Sequence, residues 1–379
     1  MDQASVRAAT IVETPAITVR RSTEADRPRW CDFVADHPQG RIYHHPDWLR
    51  VLTGVYGYEP LPLLAERGDG GIAGVLPLAY KRGALGGRRL SSLPHTPLAG
   101  PLARDSETLG ALLAAAGDAA AARPGTQLQL KVEGDANAGA FDALERAVWP
   151  EAHIVELPER PDDLRFGSGR NHQRIKWAVG KAERAGVQVR AAASEDDLRH
   201  WHRLYAETMR ALAVPPHPFR FFRALRVLLP PESVRLLLAE RKDGDRTRIL
   251  AGSLLFMFGS TVFYAFNGLR RDAVQDRPND LLQWHALRSA CEEGYRRYDM
   301  GAGLARDAGL THFKRKWGAH PVPRYRYYSS APESRGHGRA GREVYQEGGG
   351  MLRAAGDAAW RRMPVAATTL LGGWMYRYL

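Results

Sequence analysis

The segment Leu63-Leu64-Ala65-Glu66-Arg67-Gly68-Asp69-Gly70 returns as Leu237-Leu238-Ala239-Glu240-Arg241-Lys242-Asp243-Gly244. A helical stretch rich in aromatics precedes each copy, at 48–58 and 198–212. An apolar-Ala-Gly strand follows each, Ile72-Ala73-Gly74 and Leu250-Ala251-Gly252. Solenoid repeats recur every ~20–50 residues, so a repeat at this longer period means a duplicated domain. In the first copy, apolar runs flank Gly68-Asp69-Gly70-Gly71, a β-hairpin signal. The expected fold is α/β (α+β): two related domains in tandem, each a mixed twisted sheet flanked by helices. A chain of 379 residues is long enough for two cores.

Pro158, Pro161 and several charges interrupt both periodicities, which divides the chain into 16–157 and 158–330. Residues 1–15 lack periodicity and read as a flexible leader, and the Gly/Ser/Arg-rich stretch 331–350 reads as a flexible linker. Residues 351–379 regain structure as a helical, amphipathic tail in which Trp360, Leu370, Leu371, Trp374 and Tyr376 alternate with Arg361, Arg362 and Arg377. That tail is too short to span a bilayer. It fits equally a membrane interface or a helix packed on the second domain.

The most informative stretch runs from Phe263 to Ala319. A strand around 262–266 is expected to end at the turn signal Asn267-Gly268, and Asn279 is placed to cap a helix. Leu281, Trp284, Leu287, Cys291 and Tyr295 share one face of that helix. A short strand, Tyr298-Asp299-Met300-Gly301, follows. After a loop comes Phe313-Lys314-Arg315-Lys316-Trp317-Gly318, where cations alternate with aromatics.

The combination Asn-Gly…Pro-Asn-Asp-Leu-Leu-x-Trp…Glu-x-Gly…Asp-x-Gly…Phe-Lys-x-Lys-Trp-Gly resembles the second half of FemAB-type proteins, within the GNAT acyltransferase superfamily. The resemblance spans roughly residues 40–330. FemAB proteins include aminoacyltransferases that build peptidoglycan cross-bridges and relatives of envelope polysaccharide systems. The resemblance implies direct acyl or aminoacyl transfer to an amine of an envelope precursor. It implies no tightly bound cofactor, with acyl-CoA or aminoacyl-tRNA as the donor substrate. It also implies that Lys314, in the Phe-Lys pair, stabilises developing charge at the transfer site, with Phe313, Lys316 and Trp317 around the same pocket.

The residues supply further candidates. Asp299, at the end of the expected central strand, is placed to orient or deprotonate the amine, or equally to cap the next loop. Arg165, Arg170, Arg174, Lys176, Lys181, Arg184 and Arg190 face a single acid, Glu183, in the most basic window of the chain. From Asn171 to Ala185 this window reads as a helix. By itself such a run reads as a solvated helix face or a phosphate-holding one; the resemblance implies the second, with Arg170, Arg174 and Lys176 as phosphate contacts of the substrate. Asn267 and Asp280 sit on the expected rim. In the first domain, Tyr43, His44 and Trp48 suggest an acceptor wall, together with His45 and Asp47. Arg88, Arg89 and His95, beside Ser91-Ser92, add polar contacts. No third ligand accompanies the His-His pair at a sensible spacing, so no metal site is expected. The loop 269–277 has no glycine to cradle a coenzyme A pyrophosphate. Either Arg270 and Arg271 replace the backbone cradle, or the donor is not coenzyme A. No long helical-hairpin arm of the tRNA-using enzymes is present, which weighs against tRNA.

The formal net charge of +12 favours an anionic partner. No run of 18 apolar residues occurs, and Cys31 and Cys291 alone make no disulfide framework, so a cytoplasmic protein is expected, with a peripheral seat on the inner membrane face as an extension. The rival readings are a non-catalytic nucleic-acid-binding module using the basic window, and a scaffold resting on an anionic membrane surface through the tail. The first of these has no recognisable nucleic-acid motif behind it.

Overall fold

The computed structural model describes residues 16–83, 87–135, 138–303, 308–329 and 351–378. The expected leader 1–15 and linker 331–350 lie outside the described residues. The first half runs β1 (Thr18–Arg21), α1 (Arg27–Asp36), α2 (Pro46–Tyr56), β2 (Glu59–Glu66), β3 (Ile72–Arg82), β4 (Arg88–Ser91), β5 (Leu102–Ala103), α3 (Ser106–Ala121), β6 (Thr126–Glu133) and β7 (Glu145–Glu156). The second half opens with α4 (Gly169–Arg184) and repeats the sequence as β8 (Val187–Ala191), α5 (Glu195–Ala211), α6 (Phe219–Leu228), β9 (Val234–Asp243), β10 (Arg246–Phe258), β11 (Thr261–Leu269), α7 (Pro278–Glu292) and β12 (Arg297–Ala302). It continues with α8 (Ala308–Lys316) and β13 (His320–Tyr328), and the tail forms α9 (Met351–Arg362) and α10 (Val365–Met375).

The duplication is visible in the side chains. Both copies of the Leu-Leu-Ala-Glu-Arg segment lie on the second strand of their half, paired with the first strand so that Val19 faces Ala65 and Val189 faces Ala239. In the first half Arg20 binds Glu66 at 2.7 Å and Asp26 at 2.6 Å. In the second, Arg190 binds Glu240 at 2.9 Å and Asp197 at 2.8 Å. Each aspartate also closes a capping box, with Thr23 or Ser194 as its partner. The guanidinium hydrogen bonds hold both aspartates well below the usual carboxylate range.

Among the described residues, thirteen strands make one mixed sheet in the order β1-β2-β3-β4-β6-β13-β7-β12-β11-β10-β9-β8, with β5 on β3. The tandem halves therefore share a sheet. β13, the last strand in sequence, pairs with β6 on one side and β7 on the other. They also share a core, because α2 packs against α6. Trp48, Tyr56, Phe221, Phe256 and Phe263 belong to the same apolar cluster.

Helix starts follow local chemistry. Asp105 accepts from Thr108 N, Ser168 from Asn171 N and Ser194 from Asp197 N. Two local expectations fail. Asn279 does not cap α7: the cap position is Arg277, left-handed at φ 58°, with Pro278 next, which leaves Asn279 inside the first turn. Asn267-Gly268 does not end its strand either, since β11 continues to Leu269 paired with β10. Gly268 is needed there for packing, because a Cβ would lie 2.6 Å from Tyr205 N and 2.9 Å from Leu204 C. The tail packs on α5, with Gly372 seated so closely on Pro216 that a Cβ would meet its carbonyl oxygen at 2.5 Å. Leu370, Leu371 and Trp374 of the same helix stay exposed.

A cluster of charges lies where the halves join. Arg324 of β13 is 2% exposed and donates to Asp299 of β12 at 2.6 Å and to Glu133 of β6 at 3.3 Å. Glu133 also accepts from Arg297 at 2.9 Å, with Arg41 at 3.7 Å. Burial alone would raise the Glu133 carboxyl, but Arg324, Arg297 and Arg41 outweigh it and hold it below its ordinary value.

Two stability outcomes follow. Asp299→Ala leaves Arg324 buried with one distant partner and should cost about 3–5 kcal/mol in chemical denaturation. A loss below about 1 kcal/mol would mean that water screens the pair as it does on a surface. Gly268→Ala should cost about 1–3 kcal/mol, because the clash is with backbone that cannot rotate away.

Candidate active site

In an open α/β sheet, ligands bind where neighbouring strands separate at their carboxyl ends. Among the described residues, two parallel pairs can open in this way. In the second half, β11 and β12 pair at Thr261–Arg297, Val262–Tyr298 and Phe263–Asp299, and their register stops there. β11 then runs on beside β10, and β12 beside β7. A wedge therefore separates residues 264–269 from 300–303.

In the first half, β4 and β6 pair from Arg88–Thr126 to Ser91–Gln129. Here the chain itself holds the edge. Ser92 N donates to Gln129 O at 2.9 Å, and Lys131 N donates to Ser92 Oγ at 2.9 Å. The fully buried Lys131 ammonium donates to the carbonyls of Leu93 and Thr96. A Cβ on Gly100 would lie 2.7 Å from Lys131 O. Residues 92–100 thus occupy the first fork, and among the described residues the second stays open.

Lys314 stands at the end of the open fork. It lies on α8, is 2% exposed, and its Nζ donates to Gly301 O at 2.9 Å and Ala302 O at 2.8 Å. Gly301 turns the strand end at φ 73°. Beside it, a Cβ on Gly303 would lie 3.0 Å from Thr311 Oγ1 and 3.3 Å from His153 Cε1. His153, on β7, has a buried Nδ1 without a hydrogen-bond partner among the described residues. Burial, then the charges of Lys314 and Arg315, push its pKa below the ordinary histidine value, so the ring is neutral at pH 7. Sequence reasoning missed His153: it is one residue of a strand, brought to Lys314 only by the pairing of β7 with β12 and β13.

The other candidates scatter. Both Asp299 oxygens are engaged, Oδ1 by Gly301 N at 2.7 Å and Oδ2 by Arg324. The carboxylate is placed to hold the strand end. Asn267 Oδ1 accepts from Ser253 Oγ at 3.0 Å on the adjacent strand. Lys316 pairs with the buried Asp280 in the first turn of α7, and Trp317 is core, with its ring 5.0 Å from Phe166. Phe313 packs half-buried against the same core.

Tyr43, His44 and Trp48 do not form an acceptor wall. All three are buried: Tyr43 packs on Trp48 and Phe263, and Trp48 Nε1 donates to Thr96 Oγ1 at 3.0 Å. His44 accepts from Arg41 N at 3.1 Å, and burial with Arg41 nearby pushes its pKa down to about 3.

Arg270 turns back to Ile249 O at 3.4 Å, and Arg271 is exposed in a 3-10 turn ahead of α7. The N-terminus of α7, a favourable anion position, already holds the Asp280 carboxylate. Arg170, Arg174 and Lys176 lie exposed on α4. None of them has an ion pair among the described residues, and neither do Lys181 and Arg184. Arg170, Arg174, Trp177, Lys181 and Arg184 recur every three or four residues and form one outer stripe. No group of three metal-ligating side chains occurs among the described residues.

Residues 169–315 match the family described as the acetyltransferase (GNAT) domain. No curated protein matches the chain in sequence. Solved structures share its fold at low identity. FemX superposes with a TM-score of 0.65 at 17% identity, over 82% of this chain and 97% of that one. The C-terminal domain of a putative lysylphosphatidylglycerol synthetase from Agrobacterium fabrum gives 0.54 at 14%, over 81% and 92%. A tandem GNAT protein from the clavulanic acid biosynthesis pathway gives 0.50 at 11%, over 84% and 100%. The open fork thus lies within the residues that match the acetyltransferase (GNAT) domain family, in a chain whose fold superposes on that of FemX.

Proposed function

We propose that this chain is an N-acyltransferase of FemAB type, which moves an acyl or aminoacyl group directly from a donor to an amine of a cell-envelope precursor. The open fork between β11 and β12, with Lys314 and a neutral His153 at its end, carries the reading. The likeness in fold to FemX supports it.

In this reaction the amine nitrogen attacks the acyl carbonyl carbon and the carbonyl electrons move to oxygen. The bond to the leaving sulfur or ester oxygen then breaks. The nitrogen must lose a proton, and the neutral His153 ring with its buried Nδ1 is placed to take it, the Glu151 backbone then favouring the protonated form. Lys314 holds the Gly301–Ala302 turn in place and brings positive charge to the position where oxygen gains negative charge. Unpaired backbone on the open edge of β11 offers donors to an extended substrate.

The donor is an acyl-CoA or an aminoacyl-tRNA. Asp280 at the start of α7 argues against a pyrophosphate seated on that helix, and the unpaired cations of α4 favour a polyanion. Phosphates of the substrate would meet Arg170, Arg174 and Lys176. An amine-bearing precursor at an anionic membrane surface also suits the exposed Leu370, Leu371 and Trp374, flanked by arginines. One relative in fold is named for lysylphosphatidylglycerol, a lipid.

Thermal shift of the purified chain separates the donors. At about 100 times its dissociation constant the true donor adds roughly 2.7 kcal/mol. Charged tRNA should stabilise and uncharged tRNA less, whereas stabilisation by acyl-CoA alone would move the chain to coenzyme A chemistry. Neither effect would remove the enzyme reading. With the donor in hand, Lys314→Ala should lower kcat by about 100-fold or more. His153→Asn should lower it by about 100- to 10,000-fold. A His that works unprotonated, with a pKa below the ordinary value, gives a rate that is flat at pH 7 and falls in acid. The Asn variant should lose that acid limb, and a retained limb would clear His153 of the role.

A further inference from the structure

A second cleft, of about 510 Å³, opens at the other end of the first-half strands. It lies at the starts of β2, β4 and β6 and the end of β3, away from the fork that residues 92–100 fill. A volume of this size suits a small molecule. Its lining carries one carboxylate, Glu59, and Arg123 already holds it through both oxygens while stacking 3.8 Å over the Tyr80 ring.

Four more cations line the cleft: Lys81, Arg82, Arg88 and Arg377. None has an ion pair among the described residues. Arg88 and Arg377 reach only carbonyls, those of Pro124 at 3.5 Å and Tyr56 at 3.4 Å. Burial, then Arg89 and Arg326, bring Lys81 down to about 7, so near neutral pH it is only partly charged, and an anion bound beside it would favour its protonated form. Tyr56, Tyr58 and Tyr378 add ring surface.

The tail completes this wall. Tyr376 stacks on His217 at 4.0 Å and donates to Pro215 O at 3.0 Å, and its carbonyl accepts from His95 Nε2 at 2.9 Å and from the Tyr58 hydroxyl. These contacts anchor the end of α10 to both halves and carry Arg377 and Tyr378 to the mouth of the cleft.

We infer that this cleft binds a soluble phosphate ester, with Arg82, Arg88 and Arg377 meeting the phosphate and the tyrosines covering an attached ring. The inference does not depend on the acyl-transfer reading. Guanidinium groups suit phosphate through paired N–H donors, and tyrosine faces suit a flat ring.

The test is calorimetric titration of the full chain with p-nitrophenyl phosphate and inorganic pyrophosphate, with p-nitrophenyl glucoside as the neutral control. Saturable binding of the phosphates and none of the glucoside is expected. Arg82→Gln combined with Arg88→Gln should weaken binding at least tenfold, and Arg377→Gln severalfold, with unchanged melting temperatures because both strand-end arginines are exposed. No saturable binding, or binding unchanged in these variants, overturns the inference. So does a loss that appears instead with Arg170→Gln and Arg174→Gln, which would place the phosphate on α4. Phosphatidylglycerol vesicles separate the two sources of phosphate. Their co-sedimentation should survive the Arg82/Arg88 substitutions; if only vesicle binding is lost, the site reads lipid headgroups and the soluble ligand is ruled out.

Discussion

The bond between Arg324 and Asp299, with Glu133 behind it, is the interaction on which the rest depends. A guanidinium taken out of water is tolerated only where carboxylates neutralise it. Here one carboxylate comes from β6 of the first half and the other from β12 of the second. The arginine of β13, a strand seated between β6 and β7, meets both carboxylates. The same aspartate binds Gly301 N, so the strand end that faces the fork is set by the seam between the halves. Architecture and candidate chemistry share one charge cluster.

The two halves began alike and were used differently. Each keeps the arginine-centred triad of Asp26 and Glu66 or of Asp197 and Glu240, which ties the first strand and its following helix to the second strand. At the parallel strand pair they part. In the first half a buried lysine and a returning loop fill the space, and in the second the strands simply diverge. A duplicated fold can afford one closed copy, since a single open fork suffices for one reaction, while the closed copy stiffens the sheet.

The tail shows how burial and exposure divide the work of one helix. Its Gly372 and Tyr376 sides lie against Pro216 and His217, while Leu370 and Trp374 face outward. The packing expected from the sequence is seen on the inner side, and the proposed interfacial seat would use the exposed outer side of the same helix.

Much of the fold was legible from residues alone. The repeated Leu-Leu-Ala-Glu-Arg segment announced the duplication, and strand and helix periods placed most elements, because those signals are local. Local signals also misled. Asn279 reads as a cap and Asn267-Gly268 as a turn, yet Arg277 takes the cap position and α5 crosses so near Gly268 that glycine serves packing. Tyr43, His44 and Trp48 looked like a polar-aromatic wall because sequence records residue type and not depth. Lys314 was legible through its motif, whereas His153, on a strand 161 residues earlier, was not. What the sequence by itself determined is the duplicated α/β plan and the Phe-Lys motif, both carried by near neighbours. Only the tertiary structure decided which fork stays open and which histidine meets Lys314. Those outcomes depend on strands far apart in the chain becoming neighbours in one sheet.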